Sequence, residues 1–131
     1  MTTKTIDVAD TTRTQLDWLV AKAEGHIDDV SSWLYQATVV DVADSDSYHP
    51  SEKWAQGGPI IEREGIATRE IPPVSGGNEY IFTRRWIAEI FRFPGGPRRS
   101  VAYGTTPLVA AMRCYVASHL GNEIEIPEEL T

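Results

Sequence analysis

The sequence predicts an α+β fold: an antiparallel sheet of three to five strands packed with two main helices and one short helix. Three observations carry this prediction. Two stretches, 12–24 and 107–120, repeat apolar residues at helical spacing between a threonine start and a glycine stop. Between them, residues 80–93 alternate like a strand, cross a Pro-Gly-Gly-Pro tip and return. Proline and glycine pairs cut the remainder into short pieces.

Residues 1–10 are polar with Ile6 and Val8 alternating, which reads as a short edge strand or a loose tail. In the helix over 12–24, Thr11 or Thr12 is the cap, Leu16, Leu19, Val20 and Ala23 form the apolar stripe, and Gly25 is the stop. Residues 28–47 are rich in β-formers (Trp33, Tyr35, Val39, Val40, Val42) and predict one strand or two short ones. Loop composition follows over 44–50. The segment WAQGGPIIEREG (54–65) reads as a glycine loop feeding a short helix over 59–64. Pro59 takes the first helical position and Gly65 ends the turn. A strand over 66–71 stops at Pro72 and Pro73, and SGGN (75–78) is a turn.

Along the next strand Trp86, Ala88 and Ile90 share one side, and Ile87, Phe91 and Phe93 the other. Residues 94–99 form the hairpin tip and 100–103 the return strand. In the helix over 107–120, Thr106 caps, Pro107 starts and Gly121 stops. Leu108, Met112, Tyr115, Val116 and Leu120 face the core. The acidic tail is docked by Ile124 and Ile126.

A chain of 131 residues with 41% hydrophobic residues suits one domain over 1–131 with one modest core. A net charge of -7 repels phosphate backbones and argues against general nucleic-acid binding. Arg84, Arg85, Arg92, Arg98 and Arg99 cluster locally and read as solvated strand ends. Cys114 sits in an apolar helical pattern, and a lone buried thiol suits a reducing cytoplasm. The first residues lack the apolar core of a signal peptide, and no run reaches the roughly 20 apolar residues of a membrane helix. A cytoplasmic protein, with no membrane partner, is expected. The strand-rich segment 80–103 offers an edge or face for pairing, so a homo-oligomer is expected as well.

Three segments together resemble a known family. LDWLVAKAEG (16–25), WAQGGPIIEREGI (54–66) and TPLVAAMRCYVASHLGNEIEIPEEL (106–130) are similar to the NinX-like proteins of tailed phages, about half of the chain. The family pattern reads Gly-Pro-Thr-Pro before the last helix, where this chain has Gly104, Thr105, Thr106 and Pro107. The stretch 72–99 is also longer than the pattern. The resemblance implies a phage or prophage accessory protein acting in a bacterial host cell. It supplies no catalytic residue.

Two junctions carry the ligand reading. Gly57 and Gly58 before Pro59, and Thr105 and Thr106 before Pro107, would present backbone N–H groups at helix starts, where the dipole favours an anion. Arg113 follows within two turns, and Trp54 and Gln56 stand beside the glycines. Together they predict a pocket for a small anion such as a nucleotide, although each junction is also ordinary helix-start chemistry. The segment matches neither a phosphate-binding Walker loop nor a dinucleotide fingerprint.

No catalytic residue, metal site or cofactor emerges. His26, His49 and His119 lack metal spacing, and Asp41, Asp44 and Asp46 lack the glycine and terminal glutamate of a calcium loop. Glu62 and Glu64 beside Arg63 read as a solvated helix face. The expected function is a non-enzymatic binder that sequesters a small anionic ligand, such as a nucleotide second messenger of host defence. One alternative is an acidic inhibitor or adaptor that engages a host protein. The other is a nucleotide hydrolase using His49 or Glu62.

Overall fold

The computed structural model describes residues 3–25, 48–72, 85–92 and 98–130. The expected strands over 28–47, the turn over 75–78 and the tip over 94–97 lie outside them. The described elements are strand β1 (Thr3–Asp7), helix α1 (Arg13–Ala23), helix α2 (Trp54–Glu64), and strands β2 (Ala67–Glu70), β3 (Trp86–Arg92) and β4 (Arg98–Gly104). Helix α3 (Pro107–Leu120) and strand β5 (Glu123–Pro127) follow. The fold is α+β, and its described strands divide into two antiparallel sheets, β2-β3-β4 and β1-β5.

The β1-β5 ribbon joins the two ends of the chain, with Thr3 opposite Pro127 and Asp7 opposite Glu123. Residues 3–10 are therefore a strand followed by a 3-10 turn (Val8–Asp10), and the acidic tail is the strand's partner. Ile124 and Ile126 do dock, both buried.

Helix α1 starts on a capping box. Thr12 Oγ1 accepts from the Gln15 N–H, and the Gln15 side chain accepts from the Thr12 N–H. Gly25 stops it with φ +82. On β3, Ala88 and Ile90 enter the core beside Trp86, while Phe91 stays 55% exposed. Strand β4 is longer than expected, since Arg98 and Arg99 belong to it and not to the tip.

Helix α3 has its predicted bounds, but more than a stripe is buried. Val109, Ala110, Ala111 and Cys114 join Leu108, Met112, Tyr115 and Val116 below 5% exposure. It packs against β3 and β4 on one side and α1 on another, so apolar residues are required nearly all round. Gly104 permits the close approach of α3 to the end of β4: a Cβ there would stand 2.6 Å from the Ala110 nitrogen.

The glycine segment differs most from expectation. Helix α2 runs from Trp54 to Glu64, so Gly57, Gly58 and Pro59 lie inside it. The Gly57 N–H already donates to Lys53 O at 2.9 Å and cannot cradle an anion. Gly57 serves packing instead. A Cβ there would meet Pro50 O at 2.4 Å and Leu108 Cδ2 at 2.6 Å, whereas Gly58 has only Trp54 at 4.0 Å. Among the described residues no helix is long and apolar enough to cross a membrane.

Candidate functional site

Close packing of Gly57 on Leu108 brings the start of α2 against the start of α3. Between them lies a cleft of about 130 Å³ lined by Arg13, Ser51, Glu52, Trp54, Thr106, Pro107 and Leu108. Arg13, Trp54 and Pro107 are the first residues of α1, α2 and α3, so the three described helices all begin at this cleft. Thr106 caps α3, accepting from the Val109 N–H at 3.1 Å. Lys53, at the cap of α2, makes no side-chain cap hydrogen bond. The N–H groups of Trp54 and Ala55 have no intrahelical acceptor, as at any helix start. Trp54 is 57% exposed at this cleft. The internal anion here is Glu52, whose Oε1 lies 3.0 Å from Arg13 Nη1.

A second, larger cavity of about 470 Å³ lies on the other side of the turn into α3. Thr105, Arg113, Ala117, the Val8–Asp10 turn, and Val101, Ala102 and Tyr103 of β4 are among its lining residues. The predicted residues are thus split. Trp54 and Thr106 share the small cleft, and Thr105 and Arg113 share the large cavity. Gln56, Gly57 and Gly58 line neither. The Gln56 side chain accepts from the backbone N–H of His49.

Arg113 does not reach the start of α3. Its Nε and Nη2 donate to Thr11 Oγ1 and O at 3.2 and 2.8 Å, and its Nη1 donates to Tyr103 O at 2.9 Å. Burial pushes its pKa down, opposed by the charge of Asp10.

Two polar clusters escaped the sequence. Asp17 is buried on α1, accepting from the Ser51 N–H at 2.9 Å with its other oxygen 3.3 Å from His49 Nδ1. Burial raises its pKa, opposed by hydrogen bonds from Ser51 and by His49. The second cluster joins the C-terminal ends of the three helices. Arg63 holds Glu24 by two bonds of 2.6 and 3.1 Å and Glu64 by one of 3.0 Å. Tyr115 donates to Glu24, and His119 Nε2 lies 2.9 Å from Glu64 Oε1. Burial and Glu24 push the Tyr115 hydroxyl up. Tyr48 rises to about 12 through burial and the charges of Glu24 and Asp17. The Glu64 side chain, read as solvated, is only 15% exposed and is paired. No run of sequence marks this cluster, because Glu24 and Tyr115 are 91 residues apart.

A family model described as Bacteriophage P22, NinX matches residues 7–119, from the end of β1 to the last turn of α3. The chain belongs to the NinX family. No curated protein matches it. Membership makes it a phage accessory protein.

Proposed function

We propose that this NinX-family protein is a non-enzymatic binder of a small phosphate-bearing ligand of the nucleotide class. The supporting observation is the convergence of the three described helix starts on one cleft. Each start carries the positive end of a helix dipole, and that of α2 has no side-chain cap. A phosphate oxygen would accept from the Trp54 and Ala55 N–H groups, taking the place of the missing cap. Arg13 supplies a full positive charge once it releases Glu52, and that exposed ion pair is worth at most about 1 kcal/mol. The cleft suits one tetrahedral oxyanion rather than a whole nucleotide. The base would stack on the exposed Trp54 ring. In a phage protein such binding would sequester a nucleotide signal of the host.

Thermal denaturation against a nucleotide panel tests this reading. A ligand at 100 times its dissociation constant stabilises the folded chain by about 2.7 kcal/mol. The reading expects such a shift for at least one nucleotide. A flat panel removes it and favours the acidic inhibitor or adaptor reading instead.

A further inference from the structure

We propose that the cavity beside Arg113 is a second binding site, separate from the helix-start cleft, for an uncharged ring amide of nucleobase class. Its volume of about 470 Å³ falls within the range of roughly 300–1,000 Å³ typical of small-ligand sites. The Val8–Asp10 turn lines one wall, β4 the other, and α3 lies between, with Arg113 and Ala117 one turn apart on the same face.

The lining chemistry selects the ligand. A guanidinium has five N–H donors, and Arg113 spends three on Thr11 and Tyr103. The two left over require an acceptor, and Thr105 adds a hydroxyl. Asp10 also lines the cavity; its carboxylate makes no hydrogen bond among the described residues and acts on Arg113 electrostatically. Asp7, the other carboxylate of the lining, accepts from the Ala9 N–H through Oδ1. Two carboxylates against one guanidinium leave the cavity negative, so an anion is disfavoured. A simple cation is a poor match as well, since it offers no acceptor to the two spare N–H donors of Arg113. A neutral ring with a C=O beside an N–H answers both requirements, its oxygen toward Arg113 and its N–H toward Asp10. Val101 and Ala117 give the ring apolar surface. This site does not depend on the phosphate reading of the cleft.

Equilibrium dialysis of the full chain with guanosine and with uridine, both lacking phosphate, tests the proposal. Saturable binding of at least one is expected. Ala117→Leu fills the space beside Arg113 with a good helix former and should weaken binding at least tenfold. Asp10→Asn, at an exposed position with little risk to folding, should weaken it at least fivefold. Inorganic phosphate should not displace the nucleoside. The proposal is overturned if neither nucleoside binds, if both variants bind like wild type, or if phosphate competes. Phosphate binding without nucleoside binding rejects this site and leaves the cleft standing; the reverse result does the opposite.

Discussion

Arg113 grips Thr11, 102 residues earlier in the chain, at both its carbonyl and its hydroxyl. With a third bond to Tyr103 O it ties the entry of α1, the end of β4 and the middle of α3 together. Arg113→Ala would leave two carbonyls without their charged donor, and such bonds are worth about 1.5–3 kcal/mol each before water recovers part of the loss. A destabilisation of about 2–4 kcal/mol is expected in urea denaturation. Arg113→Lys cannot reproduce three bonds in one plane and should recover less than half of it. A wild-type midpoint for Arg113→Ala would show that the tie is idle.

Gly57 and Gly58 are neighbours with opposite demands. Gly57→Ala forces a methyl into the Pro50 carbonyl and Leu108, an overpacking that costs about 1–3 kcal/mol or more. Gly58→Ala meets only Trp54 at 4.0 Å, but its gain of roughly 0.5–1 kcal/mol from removing a helix-interior glycine is offset by the new Cβ against the Pro59 ring, which disfavours helical backbone before a proline. The melting temperature of Gly57→Ala should fall well below that of Gly58→Ala, which should stay near wild type. Equal melting temperatures for the two variants would contradict the packing.

Glu64 governs part of the acid limb. Burial raises its pKa, but His119 and Arg63 outweigh burial and hold it below the ordinary value of 4.5. Below 4.5 the unfolded chain binds this proton first, so stability falls as pH falls toward the folded value. Glu64→Gln should be less stable than wild type at neutral pH, with the gap closing on acidification below 4.5. Chemical denaturation at a series of pH values checks this, and a gap that widens with acid would refute the pairing.

Glu52 competes with any anion for Arg13. Glu52→Gln should therefore tighten nucleotide binding several-fold, equivalent to about 1 kcal/mol, with little change in the unliganded melting point. Weaker binding in this variant, measured by calorimetry, would place the anion elsewhere.

Legibility followed the range of the interactions. Helix α3 was readable to the residue because Thr106, Pro107 and Gly121 are local signals. On β3 the shared side of Trp86, Ala88 and Ile90 held because alternation is local as well, while Phe93 lies outside the described residues. Helix α2 was misread because Gly-Gly-Pro is breaker chemistry by local rules, and only contact with Pro50 and Leu108 explains Gly57 inside a helix. The β1-β5 pairing needs knowledge that the two ends meet, which no short pattern carries. The candidate site was half visible. Thr106 was recognised at a helix start and Trp54 only in a loop beside the glycines, whereas Arg13 and Glu52 were not recognised, because their approach depends on how α1 and α2 each pack on α3.

The central claim is that the helix starts at Arg13, Trp54 and Pro107 form one anion site. Amide correlation spectra recorded while a nucleotide identified by thermal shift is titrated in test it most directly. The account predicts that the N–H signals of Arg13, Trp54, Ala55 and Leu108 move together along one saturation curve. Saturation that leaves these four unmoved, with the shifts gathered around Tyr103, Arg113 and Ala117 instead, would contradict it.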